Sequence, residues 1–498
     1  MEVKANSIKS ALLYFTAFLS GAVSLILEII GTRVLSPFYG STIFVWSSMI
    51  TVALGFLAIG YFAGGAIADR RKNPADLFII LGFTGAGILA GFKFAVPILL
   101  WSDRFGMIYG PLVAVSIIYF LPFLLLGMVT PMLVRLSGAG TEHTGASAGR
   151  IIGTATFGSL FGALSAGFIL LPNFSLKIIF GGMAAALIVL SILIALMYRT
   201  QIAKGWGIAV IFALLLVIFL PVVRADNSGL VKVIYEKPSY YADIKVAEAG
   251  KSRCLIVDGV TQTCMELGVP GTSFSALEEI KRIVEAMPED KTVLILGLGG
   301  GSLSAETLQK KHVDAVELVP EILETAEKYF GFNEDMSTNV IIDDARSYLR
   351  TSAKKYDIII ADTFFASSIP SHLLTKEYFE LMRDRLNPDG LVLFNLIGRN
   401  GPEDKYTASY VKTLKAVFPN IMVTAPGLGL QNMVIHASND LSYAPDLPDM
   451  FEKVVIDTDR GIILTDQKNP AESLAVSNLE ALRKNMKSFA GYDLFFSN

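Results

Sequence analysis

Residues 293–302 read VLILGLGGGS, an apolar strand that runs directly into a glycine-rich turn. With a helix predicted over 302–311, such a turn lets backbone N–H groups approach a ligand closely and points the helix N-terminus at it. Gly297, Gly299 and Gly301 are therefore candidate binding residues. A strict dinucleotide-binding fingerprint would have Gly at 302, where this sequence has Ser.

Acidic residues follow the next three predicted strands. Glu317 lies 20 residues after Gly297, a spacing at which a carboxylate can accept both hydroxyls of a ribose. Asp344 and Asp362 follow the two strands after that. Taken singly, each acid is most simply a helix N-cap or a solvated loop residue. Because a glycine turn and three acids share one edge of the predicted sheet, the pattern favours a nucleotide site.

Helices and strands alternate beyond residue 275, which predicts an α/β, Rossmann-like domain with a mostly parallel sheet of about seven strands. A small antiparallel β unit with a hairpin turn at Asp258-Gly259 precedes it. The predicted helices cover 275–287, 302–311, 320–330 and 344–352, and the predicted strands cover 293–296, 315–318, 340–342, 357–361, 391–395, 420–425 and 432–437.

Motifs across about 232–475 resemble the spermidine synthase family, and in particular its membrane-fused members. They are YEKPSYYADIKV, LIVDGVTQ, GLGGGSL, VELVP, DDARSYL, YDIIIADTF, YFELMRDRLNPDGLVLFNL and LTDQKNPAE. The resemblance implies a class I methyltransferase fold and S-adenosylmethionine or its decarboxylated form as donor substrate. It further implies that Glu317 holds the donor ribose, that Asp344 with Ala345 meets the adenine, and that Asp362 accepts the proton of an attacking amine. A homodimer is also what the family leads us to expect.

The sequence departs from the family where a diamine would bind. Putrescine-using synthases carry an Asp where this chain has Gly300, and a second Asp where it has Phe365. The segment GTSFSALEEI shows no counterpart of their Tyr-His-Glu. Because a buried diamine needs carboxylate partners, we expect an acceptor less charged or larger than putrescine, in a pocket formed by Phe364, Phe365 and His372.

The composition of the whole chain differs from that of a soluble protein. Of its 498 residues, 52% are hydrophobic and 17% are charged, whereas soluble chains carry about 25% charged residues. Seven apolar runs are long enough to cross a bilayer. They cover 10–35, 43–68, 77–101, 107–134, 148–171, 177–198 and 204–223. The sequence thus predicts a multi-span helical membrane domain over 1–226, a β unit with its first helix over 227–290, and the Rossmann-like domain over 291–498.

The distribution of charge predicts the orientation of the membrane domain and argues against a nucleic-acid-binding protein. Residues 1–226 carry 14 Lys/Arg against 7 Asp/Glu, and the loop bias places the N-terminus in the cytoplasm. Seven spans would then put the second half outside the cell, whereas the supply of donor favours the cytoplasm, so its side is left open. That half is acidic and no basic run occurs, which argues against nucleic acid as a partner. The four histidines show no metal-ligand spacing, and no metal site is predicted.

Two further features concern packing and the membrane path. The pairs Gly60/Gly64 and Gly158/Gly162 predict close helix packing. Glu28 lies inside an apolar run and is a candidate for lining a polar cavity.

Cys254 and Cys264 lie on facing arms of the hairpin, where a disulfide would indicate an oxidising compartment. A regular Asp-Gly hairpin, however, pairs 254 with 263, and two reduced core thiols are an equal alternative.

The expected protein is a multi-pass cell-membrane transferase that moves an aminopropyl or methyl group to a small amine or another acceptor. Two alternatives stay open. One is a regulatory module that binds a nucleoside or polyamine without catalysis, and the other is a transporter whose soluble half is structural.

Overall fold

The computed structural model describes residues 2–71, 73–137, 144–198, 231–268, 275–301, 303, 311–333, 338–364, 368–401, 403–427, 429–440 and 451–489. The chain divides into two compact units, one within residues 1–224 and the other within 225–498.

The first unit is a bundle of helices. They are α1 (Glu2–Tyr39), α2 (Ile43–Arg70), α3 (Pro74–Lys93), α4 (Ala95–Ser102), α5 (Gly106–Leu136), α6 (Thr144–Ser165, continued by a π-helical turn and a short helix to Asn173) and α7 (Leu176–Tyr198). Within the described residues, six helical stretches are long and apolar enough to cross a membrane. The predicted seventh run, 204–223, lies outside the described residues.

One predicted run is interrupted. The run 77–101 was expected as a single helix, but α3 ends at Lys93 and α4 begins at Ala95. Pro97 has no N–H to donate to the carbonyl of Lys93, and its ring crowds that carbonyl. The helix therefore breaks here, and the prediction of one continuous helix is wrong.

The predicted close helix packing is confirmed. A methyl group added at Gly60 would overlap the carbonyl oxygen of Leu124 on α5, and one at Gly158 would overlap that of Phe18 on α1. Small residues at these positions let helix backbones touch, which is a main source of helix association in a bilayer. The glycines thus join α2 to α5 and α1 to α6.

The second unit begins with a four-stranded antiparallel sheet, which confirms the predicted β unit. Its strands are β1 (Val231–Pro238), β2 (Asp243–Ala249), β3 (Ser252–Val257) and β4 (Val260–Glu266). Asp258 and Gly259 both have positive φ, 45° and 76°, as a tight hairpin turn requires. Ile244, Val246 and Leu255 are buried against Ile322 and Phe330 of the larger domain.

The hairpin contains a bulge that changes the expected pairing. Beyond the turn, Ile256 pairs with Thr261 but Leu255 pairs with Thr263, so Gln262 is an extra residue. Cys254 therefore faces Cys264, and the two form a disulfide. The predicted pairing of 254 with 263 is wrong because the regular register ignores this bulge, and the alternative of two reduced thiols is not what the structure shows.

An eight-stranded mixed sheet forms the rest of the unit. Its order is β12-β10-β11-β9-β8-β5-β6-β7, with β5 to β9 parallel and the other strands antiparallel at one edge. The strands are β5 (Thr292–Leu296), β6 (His312–Glu317), β7 (Thr338–Ile342), β8 (Tyr356–Ala361), β9 (Leu386–Arg399), β10 (Asn420–Ala425), β11 (Leu430–Ser438) and β12 (Glu452–Val454). The helices are α8 (Ser275–Glu285), α9 (Pro320–Tyr329), α10 (Ala345–Thr351), α11 (Lys376–Asp384), α12 (Lys405–Lys415), α13 (Ala471–Leu474) and α14 (Val476–Phe489).

The Rossmann-like arrangement follows from its apolar strands. Val293, Ile295, Ile358 and Ile360 are at most 1% exposed, as expected for parallel strands covered on both faces. The sheet has one strand more than predicted, because the short β12 pairs with β10 at the edge. The predicted helix 302–311 lies almost wholly outside the described residues.

Candidate functional site

A cavity of about 640 Å³ lies at the carboxyl ends of the central parallel strands. Residues that follow β5, β6 and β8 line it, together with the β3–β4 hairpin and Asn395 of β9. Of the predicted residues, it brings together Gly297, Gly299, Glu317, Asp344, Ala345, Asp362, Phe364 and His372. The carboxyl edge of a parallel sheet is where α/β proteins bind ligands.

The glycine turn is shaped by its neighbours. Gly297 has φ 95°, and a side chain there would overlap the carbonyl oxygen of Asp362. Glycine at 297 thus lets the ends of β5 and β8 approach each other. The N–H of Gly300 donates to Thr263 Oγ1 at 3.0 Å, which fixes the turn against the hairpin.

Glu317 is almost fully buried at the end of β6, with 6% exposure. Its Oε2 accepts the N–H of Leu298 at 3.0 Å and its Oε1 accepts that of Val319 at 2.9 Å. Burial raises the pKa of this carboxyl, and the backbone N–H groups oppose the rise. Each oxygen keeps acceptor capacity, so the carboxylate can still receive a pair of hydroxyls.

Asp344 is both an N-cap and a cavity residue. Its Oδ1 accepts the N–H of Ser347 in the first turn of α10, at 2.9 Å. Its Oδ2 lies 3.0 Å from His372 Nε2, and this hydrogen bond lowers the pKa of the carboxyl. Arg346 donates to the carbonyl oxygen of His372 at 3.0 Å and pairs with Asp466, which anchors the segment after β8 beside Asp344.

Asp362 follows β8 and has one side-chain donor within the described part of the chain. Asn395 Nδ2 donates to its Oδ1 at 2.9 Å, and Asn432 Nδ2 donates to Asn395 Oδ1 at 2.9 Å. Burial raises the pKa of Asp362, and the Asn395 hydrogen bond opposes the rise. A carboxylate with one oxygen oriented and a raised pKa suits proton transfer near neutral pH.

One predicted residue does not line the cavity, and another lies outside the described residues. Gly301 is absent from its lining, and a side chain there would meet Phe332, so close packing also requires this glycine. Phe365 lies outside the described residues. Across the described ranges, no group of three or more His, Cys, Asp or Glu side chains has a metal-binding arrangement.

Sequence reasoning missed the amides of the cavity. Asn395 is 6% exposed on β9 and Asn432 lies on the neighbouring β11, and both line the cavity with Gln262 and Thr263. The available signal was the polar Asn395 inside the apolar run LVLFNLI. A buried amide in such a strand needs a partner.

Comparison with known proteins places the chain in a family. The spermine/spermidine synthase domain profile matches residues 278–428. The polyamine aminopropyltransferase of Vibrio vulnificus is 32% identical over 216 residues, which cover 41% of this chain and 71% of that protein. The chain belongs to the spermidine synthase family. This confirms the resemblance drawn from the motifs.

Other relatives match smaller shares of their length. A probable polyamine aminopropyl transferase of Bifidobacterium longum is 26% identical over 226 residues, 38% of this chain and 50% of that protein. The human eEF1A lysine and N-terminal methyltransferase is 33% identical over 147 residues, 26% of this chain and 20% of that protein. A solved spermidine synthase from Thermotoga maritima is 20% identical, covering 42% of this chain and 74% of that one, with a TM-score of 0.36. The relatives of this chain thus include both aminopropyl and methyl transferases.

The structure gives a physical reason for one departure of this spermidine synthase-like chain from the family pattern. A side chain at Gly300 would meet the methyl group of Thr263 at 2.7 Å. An aspartate there would require Thr263 to move and would disturb its hydrogen bond with the Gly300 N–H. The hairpin therefore fills the space that a side chain at position 300 would occupy.

Proposed function

We propose that this chain is a membrane-anchored transferase that binds S-adenosylmethionine or its decarboxylated form and transfers an aminopropyl or methyl group to an acceptor other than putrescine. The observation that carries the proposal is that Glu317 and Asp362, at the ends of β6 and β8, line one cavity with the glycine turn between them. One carboxylate is held by backbone N–H groups, and the other, among the described residues, is held by a side-chain amide.

The donor would lie along the glycine turn. Glu317 would accept the ribose hydroxyls, and Asp344 and Ala345 would bound the adenine. The donor supplies a carbon activated by a neighbouring sulfonium, so the protein chiefly has to position the two reactants, which can contribute several kcal/mol.

The transfer step needs a base beside the acceptor. The acceptor nitrogen forms a bond to the carbon next to sulfur, the carbon–sulfur bond breaks, and sulfur keeps its electron pair as a neutral thioether. Asp362 would take the proton that the nitrogen loses. Asn395, by occupying Oδ1, would leave Oδ2 to face the acceptor.

The acceptor end of the cavity offers little negative charge. Asn395 contacts Asp362 directly, and Gln262, Asn432 and Phe364 also line the cavity. One carboxylate balances one ammonium group, whereas a buried diamine would leave its second charge unpaired. The lining therefore favours an acceptor with a single reacting amine and an apolar or uncharged polar body.

The first unit would anchor the enzyme in the cell membrane, with the N-terminus in the cytoplasm. The six apolar stretches among its described residues have the length that a bilayer core of roughly 30 Å requires. Lys and Arg are more frequent in the loops on the side of the predicted spans that holds the N-terminus. Protease accessibility of an N-terminal epitope in intact cells and in inverted vesicles tests this orientation. Cleavage in intact cells would contradict it.

Calorimetric titration of the detergent-purified full chain with each donor tests the proposed activity. We expect binding of one donor, weakened about 10-fold to 100-fold by Glu317→Ala because two charge-assisted hydrogen bonds are lost. Preference for the decarboxylated donor would indicate aminopropyl transfer, and preference for S-adenosylmethionine would indicate methylation. If neither donor binds, or if putrescine is the best acceptor in a turnover assay, the corresponding part of the proposal is wrong.

A further inference from the structure

A second cavity, of about 980 Å³, lies inside the helical unit. It is bordered by α1, α2, α5 and α6, between the two helix pairs that the glycines join. Glu28, Asp69 and Arg135 are its charged lining residues among those described. The proposed transferase activity makes no use of it.

Glu28 lines the cavity from well inside a candidate membrane span. At 1.5 Å per residue it stands about 27 Å from Ser10 and about 16 Å from Tyr39 along the candidate span Ser10–Tyr39. Among the described residues Glu28 has no ion-pair or hydrogen-bond partner. An ionisable side chain at such depth is costly and marks a functional site by default.

Three hydroxyl groups that line the same cavity present acceptors to it. Ser20 donates its hydroxyl hydrogen to the carbonyl of Ala17 at 3.0 Å, and Thr156 donates to that of Ile152 at 2.9 Å. Ser159 likewise donates to the carbonyl of Gly21 at 3.1 Å. With their hydrogens committed, these three oxygens offer lone pairs, so this part of the wall accepts hydrogen bonds.

The other end of the cavity lies where the helices end. Asp69 is next to the last residue of α2, and Arg135 is next to the last residue of α5. These two opposite charges balance, which leaves the Glu28 carboxylate as the excess charge of the lining. Leu25, Leu54 and Leu57 supply an apolar wall.

We infer that this cavity binds a primary alkylammonium ion, with its N–H groups directed to Glu28 and the neighbouring hydroxyl oxygens and its carbon chain against the leucines. The chemistry of the wall selects the ligand, because an ammonium group supplies three donors and one positive charge to a site of acceptors with one excess negative charge. An anion would meet the Glu28 carboxylate and the same lone pairs. The ammonium group can belong to a free amine or to an ethanolamine lipid headgroup.

Equilibrium binding of radiolabelled hexylamine to the full chain in phosphatidylglycerol nanodiscs tests the inference. Every protein in the test carries Asp362→Asn, so that an amine bound in the second unit does not contribute and the result is independent of the proposed transferase activity. Glu28→Gln should weaken binding by more than about tenfold, and Glu28→Asp should retain most of it. Binding of neutral hexan-1-ol should be unchanged by Glu28→Gln.

A matched pair of glycine variants on α2 gives a test that leaves Glu28 intact. Gly65 lines the cavity, whereas Gly55 does not, and a side chain would meet no atom within 4 Å at either position. Gly65→Leu should abolish hexylamine binding by filling the cavity, and Gly55→Leu should leave it unchanged. Equal effects of the two variants, or Glu28→Gln binding within about twofold of its parent, would overturn the inference.

A third arm of the experiment identifies the source of the ammonium group. If phosphatidylethanolamine in the nanodisc competes with hexylamine, and does so only while Glu28 is present, the ligand is a lipid headgroup. If it does not compete, the ligand is a free amine. Competition that persists in Glu28→Gln would count against the site.

Discussion

The two ends of strand β8 carry aspartates with opposite environments. Asp357, near the start, accepts from the N–H and hydroxyl of Thr292 at 2.9 Å each and from Asn387 and Lys291 at 3.1 Å each. Although burial alone would raise its pKa, these hydrogen bonds lower the pKa to about 2. Asp362, beyond the other end, has one side-chain donor in the ranges that the structure describes, and burial raises its pKa.

The difference separates an acid that holds the fold from one that is available for chemistry. Donors from three neighbouring residues occupy both oxygens of Asp357, so its charged form is favoured and stabilises the fold. Asp362 keeps an oxygen without a protein donor among the described residues and faces a cavity. Deeper burial of Asp362 and saturation of Asp357 by hydrogen bonds, rather than residue type, distinguish the two aspartates.

The largest effect expected is on turnover by Asp362→Asn. If Asp362 is the proton acceptor, its amide variant should lose on the order of 10²-fold to 10⁴-fold in kcat. Donor affinity should stay near that of the parent, because Asp362 is assigned to the acceptor. Steady-state turnover combined with donor titration measures both quantities.

Asp357→Asn is the matched control, since it makes the same substitution at the other end of the same strand. It should retain kcat within about threefold, because Asp357 lies at the opposite edge of the sheet from the cavity. Equal losses in the two variants would show that the substitution disturbs β8 itself and would remove the evidence for a base.

The two variants should rank in the opposite order when the free energy of unfolding is measured instead of kcat. Asp357→Asn should lower the free energy of unfolding by about 2 kcal/mol at neutral pH, whereas Asp362→Asn should leave it unchanged or raise it. The folded pKa of Asp357 lies below its unfolded value, so the stabilisation is complete above about pH 4 and is lost as the pH falls toward 2.

The thermal unfolding transition of the second unit, recorded in the full chain for parent and variant, measures this difference in stability. The difference between them should shrink over that acidic range. A gap that stays constant from pH 6 to about pH 2.5 would mean that packing, and not the charge of Asp357, stabilises this edge.

The acids that follow strands could be found from sequence, but their partners could not. The positions of Glu317, Asp344 and Asp362 depend on local alternation of strands and helices, which the sequence displays. The Asn432–Asn395–Asp362 chain depends on β11 pairing with β9 and β9 with β8. That order is set by tertiary packing of strands far apart along the chain.

The bulge at Gln262 and the break before α4 show two different limits of prediction from sequence. The bulge coincides with the contact between Thr263 and Gly300, which joins segments 37 residues apart, so a regular hairpin register was the only pattern visible locally. The helix break, by contrast, has a local cause in Pro97. Its signal was in the sequence, and it was outweighed by the apolar composition of the run.

The third prediction concerns the single donor to Asp362. Asn395→Leu removes the hydrogen bond that opposes the raised pKa of Asp362, so the pKa should rise further. Because the base must be deprotonated, the acidic limb of the kcat/KM profile should move to higher pH, by up to about one unit. Asn432→Leu, which removes only the support of Asn395, should move it less. A shift to lower pH, or an unchanged limb with kcat reduced at every pH, would contradict this role for the amide.

The smallest effect is expected at Asp344, whose environment lies between those of the two β8 aspartates. His372→Gln replaces a partner that is about half exposed, so the loss should be modest, a twofold to fivefold rise in donor KM, on the order of that for a solvent-exposed pair. The kcat should not change, because Asp344 is assigned to the adenine and not to the reacting atoms. The pKa of Asp344 should move back up, because the hydrogen bond that lowers it is lost. Donor KM measured at pH 5 and pH 8 checks both statements, and a fall in kcat with unchanged KM would instead assign His372 to the acceptor end of the cavity.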